Sequence, residues 1–171
     1  FLPIDETKVD KNTLTFSFSS EAPVKRYFGD EILDHDERSI DFSRLNGNAA
    51  PLLFNHDPNI VLGKVQKAWV ENRRGKATIK WATNAKAKEV RADVESGILE
   101  SISVGYVVNE MESGEGDAMR ATSWSPHELS IVSIPADQSV GINRSLPFSF
   151  PTPKEHFTDM SYVTQDLDKI E

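Results

Sequence analysis

Cysteine is absent from the 171 residues. That single absence removes disulfides, thiolate nucleophiles and cysteine-based zinc sites. No run of about 18 apolar residues occurs, so no membrane-spanning helix is expected, and no secretory signal is visible. Positive charge is also short: 19 Lys and Arg stand against 27 Asp and Glu, a formal charge of −8. A reader of nucleic-acid phosphates needs a basic face, so nucleic acid is not expected as the main partner. Hydrophobic residues reach only 38% and aromatics 9%, which permits a modest core. The length fits one domain, or one domain and a tail. The chain opens with Phe rather than Met, as a trimmed, processed or excised piece would. The default expectation is a cytoplasmic soluble protein.

What is present reads mostly as strand. Leu14, Phe16 and Phe18 alternate with Thr13, Thr15 and Ser17, the signature of a half-buried strand. A second short strand is expected over 24–28, closed by Gly29 and Asp30. The acid-rich stretch 31–38, which contains His35, reads as a solvated loop or edge. Pro51–Phe54 is a short apolar run, and Pro58 biases Asp57 away from helix, so His56 is expected at a strand end or in a turn. Strand resumes over 60–70, with a hairpin connection at 72–75 and a returning strand through Ala77, Ile79 and Trp81. One firm helix follows. Thr83 or Asn84 suits its N-cap, Ala87, Val90, Val94 and Ile98 form one apolar stripe, and Gly97 suits its end. A Gly- and acid-rich loop is expected over 110–117. Strand then returns over 118–124, is broken at Pro126, and resumes over 128–134. Beyond Pro147 the chain is polar and acidic. The expected organisation is a domain over 1–146 and a C-terminal tail or linker over 147–171. Six or seven short strands with mainly antiparallel links suggest a mainly β fold, a small closed barrel with a packed helix.

The stretch Ser101–Val108 carries the chemistry. As a strand it sends Ile102, Val104, Tyr106 and Val108 to one face and Ser101, Ser103 and Gly105 to the other. Small residues gathered on one face leave room for a substrate backbone beside a hydroxyl. A serine nucleophile needs a base, and the base needs an orienting acceptor. Of four histidines, His156 lies in the tail, and His35 sits among Asp34, Asp36 and Glu37, which favour its protonated form. His56 has the best context for a base. Glu128 begins an apolar strand, where a carboxylate is costly without a partner. It ranks first as third member, His127 second and Asp137 third. The bland alternatives are a structural serine, a turn histidine, and a Glu128 paired with Arg120 or a lysine. A metal reading of His35 and Asp36 with His56 and Asp57 closes no ligand set.

Three blocks carry a resemblance: Leu52–Asp57 with Leu62 and Gly63, Glu100–Tyr106, and Glu128–Asp137. In this order they resemble the prohead maturation proteases of tailed bacteriophages, the HK97-type serine proteases related in fold to herpesvirus assemblins. Asp137 stands where the family's third block carries Asn. The resemblance spans 13–142 and implies a closed, antiparallel, seven-stranded barrel wrapped by helices. It implies Ser103 as nucleophile, His56 as general base and Glu128 as third member, with His127 as the alternative because the herpesvirus enzymes use a second His. Ala136 and Asp137 are the candidate backbone donors of an oxyanion hole. It further implies cleavage of scaffold or of the major capsid protein's scaffolding segment inside the assembling procapsid in the host cytoplasm, with self-cleavage. A homodimer or higher oligomer is expected, and no cofactor, metal, membrane or nucleic acid. The alternative function is a non-catalytic β-rich capsid or scaffold component.

Overall fold

The computed structural model describes residues 12–114 and 116–142; the tail expected over 147–171, with His156, lies outside them. Eight strands and two helices follow in the order β1 (Thr13–Ser19), β2 (Val24–Arg26), β3 (Gly29–Leu33), α1 (Ser43–Asn46), β4 (Pro51–Phe54), β5 (Asp57–Glu71), β6 (Arg74–Trp81), α2 (Ala85–Glu95), β7 (Ile102–Ser113) and β8 (Met119–Ile131).

The strands form one mixed sheet in the order β1-β6-β5-β4-β8-β3-β2, with β7 paired to β8 off this path. The closed antiparallel barrel expected from the sequence is therefore corrected to an open sheet. Among the named strands β1 pairs only with β6, β2 only with β3, and β7 only with β8. The physical reason lies in β8, which is long enough to carry two neighbours along one edge. Its residues 129–131 pair with β4 and its residues 119–121 with β3, both in parallel. Between them, Ile40 bridges to Trp124.

Two-residue turns join β4 to β5 and β5 to β6. Phe54 pairs with Asp57 and Glu71 with Arg74. The central residues Asn55, His56, Asn72 and Arg73 have φ of 50°, 59°, 53° and 55°. Positive φ at both central positions is the type I′ pattern that matches strand twist.

Pro126 does not break its strand. Gly105 pairs with Glu128 and Tyr106 with Pro126, so His127 is the extra residue of a bulge, a position where a sheet tolerates proline. The loop expected over 110–117 is also shorter, because β7 continues to Ser113. The expected solvated stretch 31–38 instead begins in β3, and both Glu31 and His35 are buried.

The helix α2 follows its sequence signals closely. Asn84 accepts a hydrogen bond from the Ala87 N–H at 2.8 Å and caps the N-terminus. Its apolar stripe is Ala87, Val90 and Val94, while Ile98 is exposed. The stripe stops because Gly97, at φ 76°, turns the chain. Gly97 N donates to Val94 O and Ile98 N to Asp93 O, the paired bonds of a Schellman end. The core beneath is led by Trp124, Phe18, Leu52, Ile79, Ile102 and Leu129, all essentially inaccessible.

Candidate active site

The β7–β8 ladder sets two facing pairs on one surface: Ser103 opposite Ser130, and Gly105 opposite Glu128. Directly opposed residues share a face, and residues two apart share it too. The hydroxyl of Ser103, the hydroxyl of Ser130 and the Glu128 carboxylate are thereby neighbours by register alone. The β4–β5 turn then adds His56. Asn55 N donates to Ile131 O at 2.9 Å, and Asn55 Oδ1 accepts from Ser133 N at 3.1 Å.

His56 Nδ1 and Glu128 Oε1 are 2.6 Å apart. A carboxylate only accepts, so Nδ1 carries a proton, and in the neutral ring Nε2 is then the acceptor. Glu128 Oε2 accepts from Ser130 Oγ at 2.8 Å, and Ser130 Oγ accepts from the His56 backbone N–H at 3.1 Å. The Glu128 side chain is 10% exposed against 44% for His56. The buried carboxylate is thus compensated by two donors, which its position requires.

The space over Gly105 is filled from within. A methyl group there would stand 2.3 Å from Glu128 Oε1. The small face expected to admit a substrate backbone at this position admits the Glu128 side chain instead. Arg120 lies 3.5 Å from Glu21 and from Asp34, so it is not the partner of Glu128.

His56 borders two cavities. One, of about 230 Å³, is also lined by Ser103, Ala136 and Asp137, with apolar walls including Phe18, Leu33, Ile102 and Val140. The other, of about 740 Å³, is lined by Gly105, Glu128, His127, Glu31 and Arg44 among others. Arg26, Val104 and Tyr106 border both. Ser103 and His56 share the wall of the smaller cavity; among the described residues, no hydrogen bond joins the Ser103 hydroxyl to the ring.

The remaining candidates fall elsewhere. The Asp137 carboxylate accepts from Ser20 Oγ at 2.6 Å and Ser139 N at 2.8 Å. His127 lines the larger cavity, its carbonyl accepts from Arg44 Nε at 2.9 Å, and its buried Nδ1 has no partner. His35 corrects an expectation: its acidic neighbours suggested a protonated ring. Instead the ring is 2% exposed and packs on Trp124 at 5.5 Å between centroids. Nδ1 donates to Leu33 O at 2.9 Å, so Nε2 accepts from Ser19 Oγ at 2.8 Å. Burial pushes this imidazole below its usual range, outweighing Glu21 and Asp34. Among the described residues no three His, Asp or Glu side chains gather as a metal ion would need.

Sequence reasoning missed Ser130 and a cluster at the cavity rim. Tyr106 donates its hydroxyl to Glu31 Oε1 and accepts from Arg26 Nη2 at 2.7 Å. Burial, and then the Glu31 carboxylate, raise the Tyr106 phenol to about 12. The signal for Ser130 was its place two residues after Glu128, on the same strand face.

A family model described as caudovirus prohead serine protease matches residues 13–147. A relative named major capsid protein, from Halomonas phage phiHAP-1, is 43% identical over 137 residues, covering 75% of this chain and 23% of the relative. The chain therefore spans about a quarter of that relative's length. The solved structure of the bacteriophage T4 capsid assembly protease is similar at a TM-score of 0.47 and 8% identity, covering 72% of this chain and 96% of that one.

Proposed function

Because the chain belongs to the caudovirus prohead serine protease family, we propose that it is a serine endopeptidase acting in procapsid maturation, with Ser103 as nucleophile, His56 as general base and Glu128 as the acceptor that fixes the ring. The observation that carries this reading is the 2.6 Å bond from His56 Nδ1 to Glu128, beside a cavity lined by both His56 and Ser103.

His56 Nε2 takes the Ser103 proton as Oγ attacks the scissile carbonyl. The imidazolium returns the proton to the leaving nitrogen, the scissile C–N bond breaks, and the amine departs to leave an acyl ester on Ser103. Water then attacks the acyl group, with His56 again as base, and frees Ser103. Glu128 holds the tautomer and balances the imidazolium. The N–H groups of Ala136 and Asp137 are the proposed oxyanion donors; both residues line the Ser103 cavity. An extended peptide lies across His56, with residues on one side of the scissile bond in the apolar 230 Å³ cavity and those on the other in the 740 Å³ cavity.

The proposed substrates are scaffold and the major capsid protein's scaffolding segment, cut within the assembling procapsid by a dimer or higher oligomer that also cuts itself. The name of the Halomonas phage relative favours one second reading, in which this domain is a non-catalytic part of a capsid protein. A fluorophosphonate probe separates the two. Covalent labelling that maps to Ser103, lost together with capsid-protein processing in Ser103→Ala, is the expected outcome. Processing that survives Ser103→Ala rejects the nucleophile.

A further inference from the structure

The buried hydroxyl of Ser130 holds the network together at two points. It donates to Glu128 Oε2 at 2.8 Å and accepts the backbone N–H of His56 at 3.1 Å. We infer that Ser130 is a positioning residue of the active site, tying the carboxylate that orients the imidazole to the backbone that carries it. The inference rests on the catalytic reading above and adds a fourth residue to it.

The need for such a tie comes from the turn. His56 sits at φ 59°, directly after Asn55 at φ 50°. Glycine is the preferred second residue of a type I′ turn, and a side chain there stores strain that the surroundings must hold. The ring cannot be placed by its own rotamer if the backbone beneath it relaxes. Ser130 answers this from the neighbouring strand, since Leu53 pairs with Ser130 in the parallel β4–β8 ladder.

Ser130 is also a rival to Ser103 as nucleophile, because it faces Ser103 across the ladder and bonds to the same carboxylate that holds His56. Two observations decide against it. It is fully buried, and its proton is given to Glu128 rather than to an imidazole nitrogen. Attack from Ser130 Oγ has no access path, and its proton faces a carboxylate already engaged with His56 rather than the imidazole.

The test uses the full chain, with p-nitrophenyl acetate as the chromogenic ester and a fluorophosphonate as the active-site label. Ser130→Ala leaves Glu128 Oε2 and the His56 N–H without a partner. It is expected to lower kcat about tenfold or more with KM little changed, because ring orientation matters to the transition state and not to ester binding. Ser130→Thr, which keeps the hydroxyl, is expected to recover most of that loss. Ser130→Cys, near in size with a weak donor, is expected to fall between and serves if the alanine variant does not fold. Labelling stays on Ser103 throughout and slows in parallel with kcat. Unchanged kcat in a folded alanine or cysteine variant overturns the inference, as does a threonine variant no better than alanine. Label on Ser130 overturns both this role and the assignment of Ser103. Loss of all activity in Ser103→Ala with full activity in Ser130→Ala leaves the catalytic reading standing and removes this one.

Discussion

At the scale of single residues, the site depends on what is left out as much as on what is present. Gly105 is small because the Glu128 carboxylate lies across it. Gly105→Ala is expected to keep the fold, since the clash is with a flexible side chain, and to push the carboxylate away from His56. Activity should then fall about a hundredfold or more, the usual scale for a lost general-base arrangement. Ester hydrolysis and the melting temperature, measured together, check it; full activity would mean that Glu128 does not work from this position. The sequence made legible the turn that carries His56 and the strand face that carries Ser103, because a proline-restricted turn and a small polar face are local patterns, but not that the space at Gly105 is taken by Glu128. It hid Glu31 and His35. Both lie in an acid-rich stretch that reads as solvated, and their burial depends on partners far away in sequence: Tyr106 for Glu31, Ser19 for His35.

Elements tell the same division between local and distant causes. The helix α2 is specified by its own residues, from the Asn84 cap to the glycine at its end. Asn84 also donates its side-chain amide to Val61 O at 2.9 Å, so it anchors the helix to β5. Asn84→Ala is expected to cost about 1 kcal/mol of stability. Asn84→Asp, which keeps the cap and loses the amide donor, should cost less. Denaturant midpoints measure both, and kcat should be unchanged, because α2 lines neither cavity at the site. The strand β8 was less legible. Pro126 reads as a break, yet the register shift at His127 absorbs it. A bulge is a property of two strands and leaves no mark in one. The hairpin turns show an intermediate case: their positions follow from the sequence, but left-handed backbone at Arg73 and His56 does not.

For the molecule as a whole, the strand content was readable and the connectivity was not, because parallel pairings of β3 and β4 with β8 join residues that no local pattern links. One such distant contact sets a pH dependence. His35 ties the end of β3 to Ser19 on β1, and burial lowers its affinity for a proton. The unfolded chain binds that proton more readily, so stability present above pH about 6.5 is lost as pH falls through the lower folded value. Melting temperature against pH should drop across that window, and a folded His35→Gln variant should drop less. The fork at β8 has a temporal corollary. Ser103 and His56 are both translated before residues 119–131, yet the carboxylate, the bulge and the edge that seats β4 all belong to that later strand. A nascent polypeptide emerging from the ribosome therefore carries an inert hydroxyl and an unanchored imidazole until β8 docks. If the proposed triad is the working one, catalytic competence is timed by the synthesis of that one strand.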